Sequence, residues 1–405
     1  MTAGILCIGT EITRGEIVNT NATWLADRVT QAGLEVTEIA CVDDDRARIV
    51  DMLRRMASEH EVIVSTGGLG PTSDDLTSAC AAMAAGLPLV RDVASVEAIR
   101  DRFRVMRFTM APSNVKQADM PSGAVVMPNA VGTAPGFWMR MGRAKVFFFP
   151  GVPREMHYLW ETHAEPVVRS MAREPAVQLR LNTFGEGESA VAERLSGIEA
   201  RYPGITVGYR ATFPAIEVKL LAKGRGAQEL VDAAAVDVRT RLGKLVYAEG
   251  QRTFVSVVAD AVRARGYRLA LAESCTGGLV AQMLTSESAS DYLVAGMVTY
   301  ANEAKTKLLG VPEAMLEEHG AVSEPVARAM AEGAARAMGV ELGLGITGVA
   351  GPTGGSPDKP VGLVHYAVAH PGGVEVRHRV FPGERARVQR FAAFAALQLL
   401  RTCLA

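Results

Sequence analysis

Ala272-Glu273-Ser274-Cys275-Thr276-Gly277-Gly278 stands between two apolar runs. Before it, Gly266-Tyr267-Arg268-Leu269-Ala270-Leu271 reads as a short buried strand entered from a turn. After it, Leu279-Val280-Ala281-Gln282-Met283-Leu284-Thr285 has the composition of a helix packed on a sheet. A hydroxyl residue, two glycines and a helix start at the carboxyl end of a strand form the place where α/β sheets hold ligands. The first N–H groups of a helix have no intrahelical partner, and glycine lets a substrate approach the main chain closely. Read for structure alone, Ser274 or Thr276 is an N-cap and Gly277 and Gly278 are turn residues.

Two further strand ends in this region carry hydroxyls and glycines. Met297-Val298-Thr299 runs into Tyr300, Asn302 and Lys305, and Leu342 to Thr347 runs into Gly348 to Gly355. A serine becomes a nucleophile only when something takes its proton, and no Ser-His-Asp arrangement is evident. A lysine whose pKa is lowered by burial, or a tyrosine held by that lysine, is the available base. Backbone N–H groups from Cys275 to Gly277, or at Gly348, could hold an oxyanion, and Arg385 with the Gly351–Gly355 loop could clamp a phosphate. Taken singly, Lys305 reads as a solvated charge and Tyr300 as a packed aromatic.

The N-terminal third repeats the strand–loop–helix pattern. Gly4 to Gly9, Leu34 to Val42 and Val62 to Thr66 read as strands alternating with helices, which predicts a mostly parallel sheet covered on both faces. The third strand empties into Gly67-Gly68-Leu69-Gly70-Pro71-Thr72-Ser73-Asp74-Asp75. Its glycines offer N–H groups to an anion, Thr66 and Thr72 add hydroxyls, and Asp74 and Asp75 could hold a divalent cation against phosphate oxygens. The structural alternative is that one of the two aspartates caps a helix beginning near Leu76. A second loop, Pro150 to Met156, follows the strand Val146 to Phe149 and presents Arg154 and Glu155. Between these regions, Gln178 to Tyr247 reads as strand–helix–strand–strand–helix–strand, with one helix over Glu188–Ile198.

The whole chain has 405 residues, a formal net charge of −1, 48% hydrophobic and 21% charged residues. That suits two to three ordinary globular domains and argues against a broad nucleic-acid surface. No apolar run is long enough to span a bilayer, and the first residues lack signal-peptide character. The five cysteines show no Cys-x-x-Cys pairing, so free thiols in a reducing cytoplasm are expected.

Gly9-Thr10-Glu11, Asn19-Thr20-Asn21, Asp44-Asp45, Thr66 to Thr77 and Pro150 to Met156 resemble the CinA (competence/damage-inducible protein A) family. So do Ala272 to Gly278, Val298 to Lys305, Gly320 to Glu324 and Thr347 to Gly355. The resemblance covers nearly the whole chain. It implies an α/β protein in which two mostly parallel three-layer α/β/α domains are joined by a small split α+β domain. The expected boundaries are residues 1–172, 173–250 and 251–405. The first domain would be similar to molybdopterin-binding proteins and would hydrolyse ADP-ribose-type pyrophosphates with a divalent metal (Mg, Mn or Co). Its metal residues would be Asp74, Asp75, Glu11 and Asp44, and its substrate residues Thr66, Gly67, Gly68, Gly70, Thr72, Asn19 and Arg154.

The last domain would be similar to nicotinamide mononucleotide (NMN) deamidases, working without a cofactor. Ser274 matches the nucleophile, Tyr300 and Lys305 its activating partners, and Thr276, Gly277, Ser290, Thr347, Gly348 and Arg385 substrate contacts. Ser286 to Ser290 departs from the family's Pro-Gly-Ser-Ser type of turn and is one residue short. Which of Tyr300 and Lys305 is the base stays open. The resemblance also implies a homodimer acting on small nucleotides, and the cysteine usage, hydropathy and charge above add the expectation of a cytoplasmic protein with no membrane and no direct nucleic-acid partner. Two alternatives remain: an N-terminal module that only binds molybdopterin or a nucleotide, and a non-catalytic adaptor in DNA uptake or repair.

Overall fold

The computed structural model describes residues 1–172, 174 and 176–404; of the expected domain limits, residues 173 and 405 lie outside them. The chain forms two compact units, Met1–Gln178 with Leu221–Asp232, and Leu179–Leu220 with Ala233–Ala405. No helix among the described residues is long and apolar enough to cross a membrane.

The first unit is built on a six-stranded sheet. Its strands are β1 (Thr2–Ile8), β2 (Glu35–Val42) and β3 (Val62–Thr66), then, beyond a short antiparallel ribbon of β4 (Leu89–Arg91) and β5 (Asp119–Pro121), β6 (Val125–Met127), β7 (Gly136–Met141) and β8 (Ala144–Phe149). The order is β2-β1-β3-β8-β7-β6. β1, β2, β3 and β8 run parallel, and β7 and β6 add an antiparallel edge. Successive side chains point to opposite faces, so Ile5, Cys7, Val64, Phe147 and Phe149 pack with Leu25, Val29 and Trp160. Leu6, Ile8, Ile63, Val146 and Phe148 meet Ile49, Leu53 and Met56 on the other face. Two-sided burial is why these strands read as continuous apolar runs. The crossover helices start where the sequence offers caps: Asn19 accepts the Ala22 N–H and Asp45 the Arg48 N–H, each at 3.0 Å.

The middle strands are β9 (Ala176–Thr183), β10 (Thr206–Thr212), β11 (Ala215–Lys223) and β12 (Val246–Glu249), in the order β10-β11-β9-β12. The segment read as one helix over Glu188–Ile198 is two, Glu188–Arg194 and Ile198–Arg201. Gly197 breaks it by adopting φ 80°, open to glycine at little cost.

In the second unit β13 (Leu269–Glu273) lies parallel between β14 (Leu293–Val298) and β15 (Leu342–Gly348). β16 (Leu363–His370) and β17 (Gly373–Val380) extend the sheet antiparallel in the order β14-β13-β15-β16-β17. The Leu-Gly-Leu-Gly rhythm of β15 has a steric cause. A Cβ on Gly343 would stand 1.9 Å from the Ala331 carbonyl oxygen, and one on Gly345 2.5 Å from that of Ala327, so the helix Glu324–Met338 lies directly on the strand. Helices Phe254–Ala264 and Arg385–Leu404 cover the other face with Val258, Val262, Ala396 and Leu400.

Candidate active sites at the carboxyl ends of parallel strands

Ser274 leaves the end of β13 with its N–H donated to the Ile346 carbonyl at 3.0 Å. Across the strand end, the helix Asn302–Leu309 turns one face inward, burying Lys305 (1% exposed) together with Leu309. Lys305 Nζ stands 3.3 Å from Ser274 Oγ, 2.9 Å from the Thr299 carbonyl and 3.2 Å from the Tyr300 carbonyl. Among the described residues no carboxylate bonds it, and burial lowers its pKa from the ordinary lysine value. Lys305 is therefore a buried group and not the solvated charge that single-residue reading suggests. Tyr300 is 61% exposed, likewise not the packed aromatic of that reading, and its hydroxyl accepts from Arg385 Nη2 at 2.9 Å. Arg385 Nη1 also donates to the Gly351 carbonyl at 2.9 Å.

These groups surround a cavity of about 210 Å³, which Ser274, Tyr300, Lys305, Thr347, Gly348 and Arg385 all line together with Cys275, Asn302 and Ala350. Thr347 donates its hydroxyl to the Ala321 carbonyl at 2.7 Å. Gly348 is required by the sheet, since a Cβ there would lie 2.6 Å from the Leu363 carbonyl oxygen. Three expected substrate contacts lie outside this lining. Thr276 is buried with its Oγ1 unpartnered, Gly277 uses its N–H on the Ser274 carbonyl at 3.1 Å, and Ser290 is exposed in the turn before β14. Neither Ser274 nor Thr276 caps the helix Leu279–Thr285; Glu273 does, accepting the N–H groups of Gly278, Val280 and Ala281.

The first unit has a larger cavity, about 500 Å³, at the carboxyl ends of β1, β3 and β8. Glu11, Asn19, Asp44, Thr66, Gly67, Gly68, Gly70, Asp74 and Asp75 all line it. The glycine loop is tied down by Thr77, whose Oγ1 donates to the Gly67 carbonyl at 2.8 Å and whose N–H donates to that of Gly68 at 3.1 Å. Gly67, at φ 105°, passes so close to β1 that a Cβ would fall 2.0 Å from the Ile8 carbonyl oxygen. Asp44 Oδ2 accepts the Thr10 N–H and hydroxyl, each at 2.8 Å. Asp75 Oδ2 accepts the Thr72 N–H at 2.8 Å and its hydroxyl at 2.6 Å. The Thr72 hydroxyl also holds Asp74 below the usual carboxylate range.

Several expectations change here. Neither Asp74 nor Asp75 caps the following helix, Thr77–Ala85; its N-cap is Leu76, which has no side-chain cap bond. Thr72 does not line the cavity because its hydroxyl is spent on the aspartates, and Arg154 lies exposed on the first turn of the helix Pro153–Leu159. Asn19 lines the cavity but its Oδ1 is the cap of Thr20–Gln31. Among the described residues, the expected metal residues do not bring three ligand atoms within 4.8 Å of one another; only Glu38, Glu59 and His60 do. There the Arg55 guanidinium bonds both carboxylates and takes the place a cation would fill.

Sequence reading assigned no site role to Asn21, Gln117 and Thr133, which reach the cavity from separate parts of the chain, and left Glu155 undecided. Glu155 accepts Asn129 Nδ2 at 2.6 Å, and burial raises its pKa. Its carboxyl lies where a Cβ on Gly132 would be, 1.9 Å from Cδ. With it the lining holds five carboxylates and no lysine, arginine or histidine.

A mixed parallel sheet with glycine loops at its strand ends, a split α+β segment and a second α/β sheet bearing a serine–lysine pair define a multidomain α/β protein. Three family models match it: "Probable molybdopterin binding domain" over residues 4–170, "Damage-inducible protein CinA KH domain" over 178–248 and "CinA C-terminal domain" over 251–404. Similarity extends over full length to the CinA-like protein of Anaeromyxobacter dehalogenans strain 2CP-C, at 46% identity over 100% of both chains. The CinA-like protein of Geobacter sulfurreducens is 44% identical over 99% of this chain and 98% of its own. The chain belongs to the CinA family. Solved structures similar to part of it include the CinA protein of Thermoplasma acidophilum, at 33% identity and TM-score 0.39, covering 41% of this chain and 97% of that one. A CinA superfamily protein of Klebsiella pneumoniae aligns at 36% identity and TM-score 0.36, covering 37% and 95%.

Proposed function

We propose that this chain is a hydrolase of pyridine nucleotides with two activities, the first of them deamidation of NMN at Ser274. One observation carries that reading: the buried Lys305 Nζ at 3.3 Å from Ser274 Oγ. A neutral lysine amine has two N–H donors and one lone pair. When the amine is neutral, the Thr299 and Tyr300 carbonyls take its two donors and its lone pair is left for the Ser274 hydroxyl proton. Lys305 would take that proton as Oγ bonds to the amide carbon, then give it to the leaving nitrogen. Ammonia departs as the C–N bond breaks, and water splits the resulting serine ester to the carboxylate, restoring Ser274. Tyr300, bonded to Arg385, belongs in this scheme to the substrate and not to proton transfer. Among the described residues, the Cys275 and Thr276 N–H groups bond no protein acceptor, which suits them to an oxyanion.

The second activity is hydrolysis of an ADP-ribose-type pyrophosphate in the first unit's cavity with a divalent metal. Hard carboxylate oxygens suit Mg or Mn, and magnesium commonly binds one or two carboxylates together with substrate phosphates. Separated carboxylates such as Asp44, Asp74 and Asp75 fit a metal that arrives with its substrate better than a preformed cage. A lining with five carboxylates and no basic side chain repels a polyanion, and a bound cation would offset that repulsion. The molybdopterin-binding match favours a second reading of this unit, in which the cavity binds a pterin nucleotide without turning it over. Ammonia release from NMN by the wild type and Ser274→Ala tests the first activity. ADP-ribose cleavage with and without EDTA tests the second, and tight pterin binding without cleavage would favour the alternative.

A further inference from the structure

The loop that presents Ser274 is held from two sides by side chains that never reach the cavity. Glu273 immediately precedes the serine and is 1% exposed. Its Oε2 accepts the N–H groups of Gly278 and Val280, both at 3.1 Å, and its Oε1 that of Ala281 at 2.9 Å. Among the described residues it makes no salt bridge. Burying a carboxylate without a cation is unfavourable, and a short neutral cap such as serine or asparagine starts a helix without that cost. A glutamate here does something further: it folds the chain between residues 273 and 278 back on itself and fixes how far the serine protrudes.

Gln389 works from the other side. It projects from the helix Arg385–Leu404, and its Nε2 donates to the Cys275 carbonyl at 2.8 Å. The main chain of Glu273 also reaches the lysine. Its carbonyl accepts the Thr299 N–H at 2.8 Å, and the Thr299 carbonyl accepts Lys305 Nζ. The serine and its base are thus set by one connected stretch.

We infer that Glu273 and Gln389 are positioning residues that jointly hold Ser274 Oγ against Lys305 Nζ. This rests on the amidase reading above. The test is steady-state ammonia release from NMN by the full chain across pH, for the wild type, Glu273→Gln and Gln389→Ala, with folding followed by thermal melts. An amide at position 273 places an NH₂ against at least one backbone N–H, so Glu273→Gln breaks the brace. Misplacement of reacting groups by about an ångström lowers rate roughly 100-fold; Glu273→Gln is expected to lose about 10- to 100-fold in kcat with KM within about twofold. Its alkaline-rising limb should also move, because Lys305 loses its fixed partner. Gln389→Ala, at a half-buried position, is expected to lose less in kcat with the same unchanged KM. A folded Gln389→Ala or Glu273→Gln with wild-type kcat and pH profile overturns the assignment while leaving the amidase reading intact. A wild type that releases no ammonia overturns both.

Discussion

Lys305 meets Ser274 directly, at 3.3 Å, whereas the hydroxyl of Tyr300 turns to Arg385. Of the two activating candidates that the sequence left level, this geometry favours Lys305 as the base of the proposed amidase. Removing a general base costs about 100- to 10,000-fold, so Lys305→Ala is expected to lose kcat on that scale. Tyr300→Phe should raise KM and keep the pH profile. Initial rates of ammonia release for the two variants check this.

In the proposed amidase Lys305 would act as a base only when neutral, and burial holds its pKa below the ordinary 10.5. Activity should therefore rise with pH and level off above the folded-state pKa. Stability follows the same sign. Between the folded-state value and 10.5 the unfolded chain binds more protons than the native one, so stability rises with pH through that window. Melting temperatures measured from pH 7 to 10 should increase for the wild type relative to Lys305→Met, which cannot titrate there.

Glu155 shows the opposite sign. Burial raises its pKa, so between the ordinary glutamate value and the folded-state value the native chain binds more protons than the unfolded one. Its contribution to stability falls as pH rises across that window. Glu155→Gln should remove this fall and melt higher than the wild type at neutral pH, with the difference closing in acid. Thermal melts from pH 4 to 8 give the answer.

Chelation should divide the two proposed activities. EDTA is expected to abolish ADP-ribose cleavage and leave ammonia release from NMN unchanged, because the Ser274 cavity lining has no carboxylate. Loss of both, or of neither, would contradict the assignment of metal chemistry to the first unit alone.

Gly343→Ala tests the packing that carries Thr347 to the cavity. The new methyl would meet the main chain of Ala331, which cannot rotate away. Overpacking of this kind costs about 1–3 kcal/mol, and a lowered denaturant midpoint at unchanged slope would register it.

Much of this architecture was legible because two-sided burial leaves plain marks. Val62 to Thr66 and Leu269 to Glu273 are short, begin on apolar residues and are buried throughout, and each empties into glycines, so strand, loop and helix could be placed in order. The burial of Lys305 also had a signal, its four-residue spacing from Leu309 on one helix face. Other features left none. Thr72 looked like a ligand donor but bonds its own neighbours, since a hydroxyl three residues before Asp75 satisfies that carboxylate locally. Gln117, Thr133 and Glu155 come together only through the chain's tertiary path. β6 and β7 lie among glycines and prolines that read as loop. The carboxylates expected to share a metal lie on the short helix Thr10–Thr13 and on two loops, and nothing in their spacing encodes their separation.

The proposed role of Ser274 as an amidase nucleophile served by Lys305 has a direct test. It is ammonia release from NMN by the purified full chain, beside Ser274→Ala with an unchanged melting temperature. Steady release by the wild type and none above background in the variant is expected. Equal release by both, or none from a folded wild type, would contradict it.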